Sequence, residues 1–152
     1  MRALFAVAWA GSALFAAPAS AESWRMTAYT EEYPALIMFA DADSIARSGD
    51  SVTFMAQTVF EEDDKGRGTR SVEKIKANCS DMGFVVADAT YYNGLTLLRY
   101  SDGPSSTQFA KAGSLDEGTI LSICGKRDYQ SEKIVSPWQY ANDWFDDLAW
   151  GD

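Results

Sequence analysis

Cys79 and Cys124 are the only cysteines in a chain of 152 residues, and they follow an N-terminal segment with the make-up of an export signal. Residues 1–21 run from a basic start at Arg2 through the uncharged stretch Ala3 to Ala17, and end in Pro18-Ala19-Ser20-Ala21. A basic start, an apolar core and a small-x-small ending are the parts of a cleavable signal peptide, and cleavage is expected after Ala21. The apolar stretch falls short of the roughly 20 residues that a bilayer span needs, which argues against an uncleaved anchor. Export places both thiols in an oxidising compartment, periplasmic or extracellular, where one disulfide between them is the economical reading. Neither cysteine lies in a Cys-x-x-Cys arrangement that would mark a reactive thiol. The bridge holds two distant positions together in any fold the chain adopts.

Removing residues 1–21 leaves 131 residues, the size of one domain. The whole chain carries 13 basic and 22 acidic side chains, a net charge of −9; without Arg2 the balance becomes −10. That sign repels nucleic acid and anionic membrane surfaces, so neither is an expected partner. The basic residues Arg67, Arg70, Lys74 and Lys76 lie close together in the sequence and read as a solvated strand face. Histidine is absent, which removes the commonest general base, the Ser-His and Cys-His nucleophile pairs, and imidazole metal sites. Two cysteines alone do not make a structural zinc site. No cofactor and no resident metal are expected.

Along the chain the pattern is one of successive strands. Trp24, Met26 and Ala28 alternate with Arg25 and Thr27, Ala35 to Ala40 is a short apolar run, and Ser51 to Phe60 alternates again. Between the last two, Asp41 to Gly49 reads as a turn with one helical loop. Ser71 to Cys79 places Ile75, Ala77 and Cys79 on one face, the expected core side. Asn93-Gly94 between Phe84–Tyr92 and Leu95–Tyr100 is the strongest short hairpin signal. Glu61 to Thr69 carries four consecutive carboxylates and two glycines; it lacks the ligand spacing of a calcium loop and reads as a solvated hairpin connection. Ser101 to Ala112 reads as loop.

Two helices are expected. Ser114-Leu-Asp-Glu117 is a capping box, with Glu117 reaching back to Ser114, and opens a helix from Leu115 to Cys124 that stops at Gly125. Gly118 and the β-branched Thr119, Ile120 and Ile123 leave a strand through Thr119–Cys124 as the alternative. If the helix forms, the disulfide staples it to the sheet. Ser136-Pro137 opens the second, whose residues Trp138, Ala141, Trp144, Phe145, Leu148 and Ala149 share one side. This amphipathic helix either docks on its own sheet or presents Trp138, Trp144, Phe145 and Leu148 to a partner. The expected fold class is α+β: a small antiparallel sheet, a disulfide-tethered helix and a C-terminal amphipathic helix.

The order of these elements resembles the surface-adhesin E-like domain of Gram-negative bacteria. The resemblance runs through Trp24, the segment Asp41-Ala-Asp-Ser44-Ile45 before Gly49, the strand Ser71 to Cys79, the hairpin Tyr91-Tyr92-Asn93-Gly94, and Gly113-Ser114 through Cys124. It covers roughly residues 23–125 and implies a binding or adhesive role for an exported protein; the domain is expected over residues 22–127, followed by a C-terminal extension over 128–152. No binding residue carries over from it. The chain departs from the pattern by continuing past Cys124 and by lacking a lipid-attachment cysteine.

Three functions are consistent with the residues. The first is a non-enzymatic exported binding module for a protein partner or extracellular ligand, with a homodimer open to it. The second is an accessory or inhibitor protein docking through the C-terminal helix. The third is a carboxylate-dependent hydrolase using Asp41 and Asp43, although an Asp beside a turn is more often a cap.

Overall fold

The computed structural model describes residues 22–61 and 69–149. The expected signal peptide over residues 1–21, the acidic run beyond Glu61, and Arg67 lie outside the described residues. Among the described residues eight strands and two helices follow in order: β1 (Trp24–Thr30), β2 (Leu36–Asp41), a 3-10 turn (Ala42–Ser44), β3 (Ala46–Ser48), β4 (Ser51–Phe60), β5 (Arg70–Asn78), β6 (Gly83–Asn93), β7 (Thr96–Asp102), β8 (Gln108–Phe109), α1 (Leu115–Ile123) and α2 (Pro137–Ala149). The fold is α+β. All strands belong to one antiparallel sheet ordered β1-β2-β4-β5-β6-β7. β2 pairs with the second half of β4 and β3 with its start; β7 and β8 likewise share one side of β6.

Alternation along the strands separates two cores. Val52, Phe54 and Ala56 of β4 join Ile75 and Ala77 of β5, Phe84, and Ile120 and Ile123 of α1 on one face. Trp24, Met26, Ile37, Phe39 and Val59 join Ile134, Ala141 and Phe145 on the other, under α2. The helices therefore cover opposite faces of the sheet. From the C-terminal segment, Ile134, Ala141 and Phe145 pack into the core with Trp24 and Phe39.

α1 is a helix, not the alternative strand. Ser114 Oγ accepts from the Glu117 amide at 3.2 Å. The return bond lands one residue earlier than expected: Glu117 Oε2 accepts from the Gly113 amide at 2.7 Å, while the Ser114 amide is taken by the Lys111 carbonyl. At the other end Gly125 adopts φ +71°, and the Gly125 and Lys126 amides bond to the Ser122 and Leu121 carbonyls, closing the helix in a Schellman turn. Gly118 costs helix propensity and allows contact: an added Cβ would stand 3.3 Å from Ala28 Cβ. Beside it Thr27 Oγ1 donates to the Met38 carbonyl at 3.1 Å and lies 2.8 Å from Thr119 Oγ1, a buried polar seam between β1 and α1.

The disulfide joins Cys79, just past β5, to Cys124 at the C-cap of α1, with Cα atoms 5.7 Å apart. The Arg47 guanidinium donates to the Ile123 carbonyl, and the Lys126 ammonium to the Cys79 carbonyl, so two cations sit at this helix end. The Asn93-Gly94 hairpin forms, with Gly94 at φ +57° and Asn93 opposite Thr96. Two segments expected as loop or turn contain short strands, β3 and β8, and β7 extends to Asp102.

The chain passes between the two helices around the β1 edge. The Gln130 amide donates to the Met26 carbonyl and the Ile134 amide to the Trp24 carbonyl, each at 2.8 Å. Ser131 Oγ accepts from the Met26 amide at 2.9 Å. Among the described residues no helix is long and apolar enough to cross a membrane. Replacing both cysteines with alanine should lower unfolding stability by about 4 kcal/mol in denaturant titrations, the loop-closure value for about 45 residues. An unchanged midpoint would contradict the bridge's role.

Candidate functional site

The helix α2 starts at Pro137, where Ser136 Oγ accepts from the Gln139 amide at 3.4 Å. Its apolar side lies on its own sheet. Phe145 is 8% exposed and Ala141 fully buried, both in the core with Trp24 and Phe39. Tyr140 meets Phe39 edge-on at 6.0 Å, and Trp144 meets Tyr29 at 5.4 Å and Phe145 at 5.6 Å. Trp138 packs near Gly94 and below Arg70, whose guanidinium stacks 4.2 Å over Tyr92. Of the four residues considered for a partner, Phe145 is thus a core residue, Trp138 and Trp144 are half-buried, and Leu148 is exposed.

The opposite edge of the sheet is open. β7 is exposed along its whole length, and among the described residues it pairs only with β6. Leu97, Leu98 and Tyr100 on it, and Leu95 in the turn before it, are at least half exposed; Leu95 reaches 80%. Phe109 on β8 adds another exposed aromatic along that side. Contiguous apolar residues on a solvent edge mark an interaction surface, and the outward amides and carbonyls of such a strand are free to pair.

Register and a bulge place these side chains. Tyr92 opposes Leu97, Tyr91 opposes Arg99, and Thr90 opposes Tyr100, with a shift between the first two pairs that leaves Leu98 extra. Tyr92 lies on the α2 side with Arg70 and Trp138, so Leu97 and Tyr100 share that side. Arg99 lies on the other side, stacked 4.1 Å over Tyr91. Tyr100 Oη donates to Asp88 Oδ1 at 3.3 Å, and the Asp88 charge raises the phenol's pKa.

The carboxylates divide by environment. Asp41 is buried, and its Oδ1 accepts from the Ser23 amide at 2.8 Å and the Asp43 amide at 3.1 Å. It caps the 3-10 turn and anchors the start of β1. Glu73 is a partly buried carboxylate within the sheet. It points to the α1 side between Ala56 of β4 and Ala89 of β6. Burial raises its pKa; a hydrogen bond with Ser71 lowers it, and the nearby Asp116 charge raises it further. The signal was its place in the alternation with Ile75 and Ala77.

No family model matches the chain, and comparison with characterised proteins and with solved structures gives no match either.

Phe145→Ala should cost about 3–5 kcal/mol in denaturant titrations, the range for a buried large aromatic, whereas Leu148→Ala should stay within about 0.5 kcal/mol. Equal effects would contradict the docked helix. Glu73→Gln tests the buried carboxylate. A raised folded pKa means that the folded state binds the proton more tightly than the unfolded state, so this stabilisation is present in acid and is lost as pH rises through the folded pKa. The variant should therefore melt a few degrees above the wild type at neutral pH, and the gap should close below about pH 4. A gap that persists unchanged in acid would exclude ionisation as its cause.

Proposed function

We propose that this is an exported, non-enzymatic binding module that captures an extended segment of a protein partner along β7. The carrying observation is the contrast between the two sheet edges. The β1 edge is occupied by the chain's own residues 130–134, while β7 keeps an exposed strand with Leu97, Leu98 and Tyr100 on it. Strand addition takes its affinity from main-chain hydrogen bonds and its selectivity from alternate side chains. Leu97 and Tyr100 on one side, and Arg99 on the other, would read those alternate residues. The resemblance to surface-adhesin E-like domains agrees with a binding role. Capture through the C-terminal helix is less favoured, because Ala141 and Phe145 are already used in the core.

Point variants are the sound probe, since a chain ending at Arg127 would lose Ile134, Ala141 and Phe145 from the core. Cross-linking in the periplasm and at the cell surface should trap a partner with the wild type. The double variant Leu95→Glu, Leu98→Glu should reduce that product about tenfold, since each change removes exposed apolar area and adds charge, with an unchanged melting temperature. Loss on Leu148→Glu, with the β7 variant intact, would move the site to α2 and overturn the reading.

A further inference from the structure

We infer that the segment occupying β7 in the resting protein is β7 of a second copy of this chain, paired antiparallel about a two-fold axis at Tyr100. The inference rests on the proposed use of β7 as a pairing edge. Charge favours this surface over the others for self-association. The chain carries a net charge of −9, so most faces of two copies repel each other, whereas Thr96–Asp102 holds one arginine and one aspartate and is locally neutral.

The register follows from which side each residue occupies. In an antiparallel ladder directly opposed residues lie on the same side of the sheet, and like charges placed opposite are unfavourable. Because of the extra residue Leu98, the side chains of Leu97, Tyr100 and Asp102 lie on the α2 side, and those of Arg99 and Ser101 on the α1 side. A two-fold axis at Arg99 would set the two Arg99 side chains directly against each other. An axis at Tyr100 instead sets Tyr100 against its own copy, Arg99 against Ser101 of the second copy, and Leu97 against Asp102 of the second copy. No like charges are opposed, and an aromatic pair sits at the centre. Asp88 opposes Asp102 within each sheet, so two carboxylates stand at the one position that faces Leu97 of the other copy, although the strand as a whole is neutral.

That feature makes Leu97 the discriminating site. It is 59% exposed, so substitution there leaves the core intact. Sedimentation over about a hundredfold range of concentration should show a monomer–dimer equilibrium for the wild type. Leu97→Lys should hold or tighten the dimer by meeting Asp102 and Asp88, and Leu97→Asp should weaken it about tenfold. Equal weakening by both changes would mean unspecific apolar contact and overturn the register. A second measurement uses the fact that both native cysteines are already bridged. Tyr100→Cys should form an intermolecular disulfide across the two-fold under mild oxidation, and Leu95→Cys should not; the reverse would overturn the inference. A wild type that stays monomeric at every concentration would overturn it too. If such a monomer still captures a partner through β7, only the second copy is wrong; if it captures none, the binding reading falls as well.

Discussion

The pairing of residues 130–134 with β1 is the contact on which the arrangement of the whole molecule depends. Two amides and one serine hydroxyl bind the chain to the backbone of Trp24 and Met26. Satisfying these edge groups removes one template for strand addition. The same passage carries the chain from α1 on one face to α2 on the other. Without it the core under α2 would lack Ile134, and the helix would have no fixed point of entry.

The disulfide complements this strap at the far end of α1. Cys124 at the helix C-cap is tied to the end of β5, and Arg47 and Lys126 donate to carbonyls there. α1 is therefore held by a covalent link at its C-terminus and by the Thr27–Thr119 seam and Gly118 contact along its length. With one helix on each face of the sheet, exposed apolar side chains collect at the β7 edge. β7 is where exposed leucines and a tyrosine collect, and the bulge at Leu98 decides which side of the sheet each one meets.

Local signals were legible from the residues alone. Asn93-Gly94, the Ser114 cap, Gly125, and Ser136-Pro137 each specify a few backbone angles through nearby atoms, and each forms, although the Glu117 carboxylate returns to Gly113 rather than Ser114. The cysteine pair was legible because two cysteines leave one possible intramolecular pairing. Contacts between distant segments were not. Nothing near Gln130 or Ile134 announces an edge partner, since their pairing depends on where β1 lies. β3 and β8 are two or three residues long and exist only because β4 and β6 offer partners. Gly118 weakens the helix locally, and its reason lies in a distant segment, the close approach of Ala28. The residues of β7 announce one arm of a hairpin; that it is an edge strand, with nothing among the described residues covering it, follows only from the sheet order. Glu73 was visible in the alternation, but its consequence depends on the flanking alanines and Asp116.

The asymmetry between the edges is the central claim, and amide hydrogen exchange on dilute protein tests it most directly. The Gln130 and Ile134 amides should be protected to nearly the depth of the β4 and β5 amides, while the outward amides of β7 exchange at the rate of solvent-exposed groups. Rapid exchange at Gln130 and Ile134, matching that of β7, would contradict the account.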